Sequence, residues 1–310
     1  MSVQFFPHLN GQLAYEDTGS GPLVVCLPSL GDLRQEYRFL APRLAAAGYR
    51  VIQADLRGQG DSSPRWAEFT VPALGSDLLA LIRHLDSGPA IVIGSSMSAA
   101  SAVWSAVETT AAVETTTAVE PPAAISGLVL IGPAVRGSVP PLNQLLYRIL
   151  FARPWGPALW AKYYTGLYPT RKPEDFPAYV AALRSNLQQP GRIAAALGLM
   201  LAPKTPAEQR LSSVRQPVRV IMGSRDPDFK DPTAEARWVT DRIRTDRIRT
   251  DSIRSDRLGG DYHIVAGAGH YPHAEMPEIT APLVLEFIRS LENRPEASDV
   301  PDATEAAHVA

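Results

Sequence analysis

The chain alternates between short, continuous apolar runs and longer stretches with apolar residues at helical spacing. "LVVCLPS" (23–29), "RVIQADL" (50–56), "AIVIGSS" (90–96), "GLVLIGPA" (127–134), "VRVIMGS" (218–224) and "YHIVAGAG" (262–269) have the length and composition of buried strands. Between them, "EYRFLAPRLAAAGY" (36–49) and "ALGSDLLALIRHLDSG" (73–88) read as helices that stop at Gly48 and at Gly88–Pro89. "PEITAPLVLEFIRSLE" (277–292) reads as a closing amphipathic helix. Apolar strands that do not alternate with polar residues imply a mostly parallel sheet covered by helices on both faces.

Residues 135–211 interrupt this rhythm. They carry helical stretches punctuated by proline, with Tyr147, Phe151, Trp155, Trp160, Tyr163, Tyr164 and Tyr168, and no strand pattern. They read as a helical cap inserted between two strands, which leaves 1–134 and 212–293 as the α/β core. The polar, small-residue tail 294–310 has the composition of a disordered segment. Two tracts repeat with short periods: "AVETTAAVETTTAVEPPA" (106–123) and "DRIRTDRIRTDSIRSDRLGG" (241–260). A five-residue step turns about 500° on a helix, so Ile243, Ile248 and Ile253 do not share a stripe. Both tracts read as tandem expansion of a surface helix or loop.

The formal net charge of −2 excludes a strongly basic nucleic-acid binder, and 45% hydrophobic residues suffice for a full core. The single cysteine, Cys26, lies in a buried strand pattern and can form neither an intrachain disulfide nor a cysteine metal cluster. His8, His84, His263 and His308 show no metal-binding spacing. No Lys or Arg precedes Arg34, and no stretch approaches the ~18 apolar residues of a membrane helix. The expectation is a soluble cytoplasmic protein with no metal, no nucleic-acid partner and no membrane association.

The chemistry concentrates at strand ends. Strand 90–94 runs into Gly94-Ser95-Ser96-Met97-Ser98 and directly into a helix. A nucleophile held in a sharp strand-to-helix turn needs small residues two before and two after it; Gly94 meets that need fully before Ser96, and Ser98 after it departs from the usual glycine. A carboxylate and then a histidine must follow in chain order. "SRDPDFKDP" supplies Asp226 and Asp228 after one strand, and "AGHYPHAEMPE" supplies His270 after the last.

With "DLRGQGDSS" (55–63), these segments resemble the α/β-hydrolase fold superfamily, in its lidded serine hydrolase form (esterase- or lactonase-like), over roughly residues 3–292 apart from the two repeat tracts. The resemblance implies Ser96 as nucleophile, His270 as general base and Asp226 as its orienting acid. Asp228 is then expected to face solvent or to cap the next helix. The family often carries His-Gly after its first buried strand, where this chain has Pro28-Ser29-Leu30-Gly31-Asp32. The backbone N–H groups of Leu30 and Met97 are the expected oxyanion donors, and as main-chain groups they do not depend on that histidine. Asp55, Arg57, Gly58 and Gly60 are expected to be structural, and His273 to be a hydrogen-bonded loop residue.

The implied activity is cofactor-free hydrolysis of a small to medium apolar ester, thioester or lactone. The same triad also serves C–C bond hydrolysis and haloperoxidase or perhydrolase chemistry in related enzymes, and the fold also occurs as a non-catalytic ligand-binding scaffold.

Overall fold

A computed structural model describes residues 2–115, 124–250 and 260–293. The strands are β1 (Gln4–His8), β2 (Gly11–Thr18), β3 (Leu23–Leu27), β4 (Arg50–Ala54), β5 (Ala90–Ser95), β6 (Ile125–Ile131), β7 (Val218–Gly223) and β8 (Asp261–Val265). They form one sheet in the order β1-β2-β4-β3-β5-β6-β7-β8. The β1–β2 and β2–β4 pairs are antiparallel, and every pair from β4–β3 onward is parallel. This is the mostly parallel sheet that the apolar strand pattern implies, and it agrees with the α/β-hydrolase fold that the resemblance implies.

The continuous apolar runs have a direct explanation. Successive residues of a strand point to opposite faces, and both faces are covered. Leu23, Val25, Val92, Leu128, Leu130, Val220 and Met222 pack on one face with helices α2 (Val71–Leu85), α3 (Met97–Thr115) and α9 (Pro232–Thr250). Val24, Cys26, Ile91, Ile93, Val129, Ile131 and Ile221 pack on the other with α1 (Ala41–Ala46) and α11 (Pro277–Glu292).

Between β6 and β7, the helices α4 (Pro141–Leu150), α5 (Gly156–Gly166), α6 (Phe176–Gln188), α7 (Arg192–Leu201) and the short α8 (Thr205–Glu208) follow one another. Trp160, Tyr164, Tyr168, Phe176, Tyr179 and Leu183 form a third apolar cluster there, closed from the sheet side by Tyr271 and Ala274. A short α10 (Pro272–Glu275) precedes α11.

Three differences from the sequence pattern stand out. The β1–β2 hairpin has no clear sequence signal: β1 lies at the sheet edge, half-exposed, and includes Pro7, which an edge strand tolerates because it need not donate to a ladder. The helix read over 36–49 is instead a 3-10 turn (Arg34–Tyr37) followed by the six-residue α1. The first "DRIRT" copy is not wholly a surface element. It continues α9, and Ile243 is fully buried, extending the Ala236–Val239 stripe by one turn. The later copies from 251 onward, residues 116–123 and the tail 294–310 lie outside the described residues. Among the described residues, no helix is long and apolar enough to cross a membrane.

The turn after β4 is structural, as expected. Asp55 is buried and accepts hydrogen bonds from Arg34 Nη1 (2.6 Å), Arg34 N (2.8 Å) and Asp61 N (2.9 Å). Arg57 clamps Asp77 through two bonds of 2.6 Å.

Candidate active site

The strand order reverses between β4-β3 and β3-β5. At such a point the loops leaving the carboxyl ends of the adjacent strands diverge and open a crevice where ligands bind. The loop after β3 carries Leu30, and the turn after β5 carries Ser96.

Ser96 has φ of +52°, a left-handed conformation that costs a residue with a Cβ of order 1 kcal/mol or more. The surroundings hold it there: its N–H donates to Ile131 O (2.8 Å), and its carbonyl accepts from Ala99 N and Ala134 N (3.1 Å each). The tight turn explains Gly94. A Cβ at that position would stand 2.8 Å from Ser98 O and 2.9 Å from Ala99 N, both backbone atoms. Ser98 replaces the more usual glycine without difficulty because its buried hydroxyl donates to Pro28 O, tying the elbow to the loop after β3.

His270 and Asp226 arrive from the ends of β8 and β7. His270 Nδ1 lies 2.7 Å from Asp226 Oδ2, and both side chains are buried. Asp226 Oδ1 accepts the backbone N–H of Asp228 (3.0 Å), which fixes the carboxylate's orientation. The His270 N–H donates to Leu167 O (3.0 Å), between α5 and α6. Gly132 makes room for the ring: a Cβ there would lie 3.2 Å from His270 Cε1 and Nδ1. Burial opposes protonation of His270, but the charge and hydrogen bond of Asp226, with the further charges of Asp228 and Glu36, outweigh it and hold the imidazole up at about 9.

Ser96 and His270 border one cavity of about 360 Å³. Leu30 borders it too, whereas Met97 is the first residue of α3, where a helix leaves its N–H groups without intrahelical acceptors. The wall is largely apolar and aromatic, with Trp160 and Tyr164 contributing. Trp155 does not line it and is 51% exposed.

Asp228 is exposed, as expected, but it does not cap α9; Asp231 Oδ1 does that, accepting from Ala234 N at 2.9 Å. Asp228 lines the cavity, is held by the Tyr163 hydroxyl at 2.8 and 2.7 Å, and stands 3.9 Å from His270 Nε2. The available signal was the i, i+2 spacing of the two aspartates across Pro227. Donor atoms of Asp226, Asp228 and His270 all lie within 4.8 Å of one another. The two carboxylates lie at different nitrogens of the ring, Asp226 at 2.7 Å from Nδ1 and Asp228 at 3.9 Å from Nε2.

A second buried group was not legible as functional. Behind the Leu30 loop, Glu36 Oε2 accepts the Ser29 N–H (2.7 Å), and Glu36 Oε1 lies 2.9 Å from His273 Nε2. The Tyr179 hydroxyl donates to Asp32 Oδ1 (2.5 Å). Burial, and then the charge of Glu36, push the Asp32 carboxyl well above its ordinary range; burial likewise lifts Glu36 to about 7. Burial also holds His273 down at about 3, so it is neutral. These groups pin the loop that presents the Leu30 amide. Gly31, at φ +70°, completes the turn under Trp160, whose ring leaves no space for a Cβ.

The profile of the alpha/beta hydrolase family matches residues 24–283. The chain belongs to this family. Over 88 residues it is 41% identical to a protein of Mycobacterium tuberculosis named as a non-heme bromoperoxidase, a match spanning 28% of this chain and 33% of that relative. The chain thus matches only about a third of that relative's length. In three dimensions this hydrolase-family chain is similar to a thermophilic esterase from Thermogutta terrifontis (TM-score 0.72, 23% identity, 94% of this chain and 99% of the other). It is also similar to a bromoperoxidase from Bacillus anthracis (TM-score 0.74, 17% identity, 93% and 100%). At these identities the likeness concerns the fold.

The geometry carries a pH expectation. If His270 is the general base it works only when neutral, and an imidazole held at about 9 then gains activity as pH rises through that value. We expect kcat/KM for a neutral ester to climb from pH 6, to be half-maximal near 9 and to level off about one unit above that. A pH–rate profile checks this, and a plateau reached near 6.5 would contradict it.

Proposed function

We propose that this family member is a serine hydrolase that cleaves a small to medium, largely apolar carboxylic ester, thioester or lactone. The observation that carries the reading is the convergence of a serine at positive φ and a buried His270–Asp226 pair on one cavity. Ser96 Oγ attacks the acyl carbonyl as His270 Nε2 takes its proton, and Asp226 holds the Nδ1–H tautomer. The amides of Leu30 and Met97 stabilise the tetrahedral oxyanion. Its collapse breaks the bond to the leaving group, which receives the proton from His270. Water, deprotonated by the same imidazole, then releases the acid and regenerates Ser96.

The test is labelling of the intact protein with a fluorophosphonate, followed by peptide mapping and assay on p-nitrophenyl esters of graded chain length. The expected result is one adduct, on Ser96, with turnover lost in proportion. Labelling elsewhere, or turnover that survives complete labelling, refutes the reading. Because a pocket methylene is worth about 1–3 kcal/mol of discrimination, Trp160→Ala or Tyr164→Ala should reorder the preference among chain lengths. An unchanged order in both would place specificity elsewhere. Trp155→Ala should leave the order intact.

The likeness to a protein named as a non-heme bromoperoxidase favours one further assay. If hydrogen peroxide replaces water in the second step, the acyl-enzyme yields a peracid. Halide oxidation that depends on an added carboxylic acid and on Ser96 would reveal this capacity.

A further inference from the structure

Lys204 is a cation in the wall of the candidate active-site cavity with no carboxylate beside it. It sits between α7 and α8, and its side chain borders the same cavity as Ser96 and His270. Its ammonium donates to Met200 O (3.0 Å), an end carbonyl of α7, and its backbone N–H donates to Gly137 O (2.9 Å). Among the described residues no carboxylate lies within 4.0 Å of Nζ. By contrast, Arg34, Arg38, Arg57 and Arg219 each hold a carboxylate at 2.6 Å.

The acidic groups closest in context are otherwise engaged. Glu208, one turn along, accepts the Gly137 N–H (3.1 Å), and Asp228, the carboxylate of the cavity itself, is bound to Tyr163. A carbonyl satisfies one of three ammonium protons and none of its charge. The cost is visible in the lysine, which burial alone pulls down to about 8.

We infer that Lys204 is an anion anchor, and that the substrate carries a carboxylate lodged against α7–α8 while its scissile carbonyl lies at Ser96. This rests on the hydrolase reading for the position of the carbonyl only. A bound carboxylate supplies the missing counter-charge beside a partly buried ammonium, where a charge-assisted hydrogen bond is stronger than in bulk water. The apolar lining accommodates the body of the substrate between the two polar ends. The class is therefore a monoester of a dicarboxylic acid, or an ester whose alcohol portion carries the acid.

Two matched pairs separate these sources. p-Nitrophenyl hydrogen adipate is compared with its methyl-capped diester, and 4-carboxyphenyl butyrate with its methyl ester. In one pair, the carboxylate form should have a kcat/KM about tenfold higher, expressed in KM. Lys204→Met should abolish that ratio, and Lys204→Arg should retain part of it. A mere cap on α7 would change both members alike. No preference in either pair, or a preference that survives Lys204→Met, overturns the inference.

A second measurement needs neither turnover nor a variant. Modification of Lys204 by trinitrobenzenesulfonate, followed by peptide mapping of the wild-type protein, should slow at least fivefold with saturating adipic monoamide and not with adipamide. Equal protection by both, or none, overturns the anchor even if Ser96 proves not to be a nucleophile. Loss of fluorophosphonate labelling at Ser96 with protection of Lys204 intact would instead fault the hydrolase reading alone.

Discussion

Replacing Ser96 by Ala is expected to lower kcat on esters by about 10⁶-fold, the scale seen when a nucleophile is removed from a triad that acts as a unit. The substitution isolates chemistry from folding. Alanine also carries a Cβ, so the strain at φ +52° is the same in both proteins, and the backbone bonds that hold the elbow are unaffected. Ser96 is 6% exposed, and what is removed is one hydroxyl facing the cavity. The controls are its neighbours. Ser98→Ala loses the bond to Pro28 O, worth about 0.5–1.5 kcal/mol of stability, and should retain turnover. Ser95→Ala should also remain active. Steady-state kinetics with thermal melts of all three variants separate the cases. Comparable turnover by Ser96→Ala, or near-complete loss in Ser98→Ala with an unchanged melt, would shift the nucleophile.

The second large effect concerns the two aspartates. Asp226→Asn should lower kcat by about 10⁴-fold near neutral pH with the fold retained, because an amide facing Nδ1 can donate to it and hold the imidazole in the wrong tautomer. Asp228→Asn should stay within about tenfold of wild type, for a different physical reason. Asp228 stands 3.9 Å from Nε2 and helps keep His270 protonated. Removing that charge moves the alkaline rise of the pH–rate profile to lower pH, so more of the base is neutral at pH 7. Its amide oxygen still accepts from Tyr163. The decisive measurement is the pair of pH–rate profiles. A large loss in Asp228→Asn with an active Asp226→Asn would transfer the orienting role two residues along the chain.

The contrast between these aspartates shows where sequence reading stops. Asp226 and Asp228 share a loop and a charge, three and five residues past the end of β7. Only the path of the loop determines that one carboxylate meets Nδ1 and the other approaches Nε2 from the cavity side. Glu36 and Asp32 pose the same difficulty: a carboxylate near a polar turn reads as a surface group until three-dimensional packing buries it beneath the Leu30 loop. Lys204 follows a proline at the end of an apolar helix, and nothing local distinguishes it from a solvated lysine.

The sequence by itself determined the order of strands and helices from β3 onward, the parallel sheet and the elbow around Ser96. It also located the loops that bear Asp226 and His270. Those features are local: apolar runs, glycine where a Cβ would strike backbone, and the chain order of three chemical groups. The tertiary structure alone decided the β1–β2 edge, the burial of Ile243, the place of Trp155 outside the cavity and the positions of Asp228 and Lys204 within it. These depend on contacts between segments tens to hundreds of residues apart. Burial and electrostatic environment are properties of the assembled surroundings, and a residue's neighbours in the chain do not specify them.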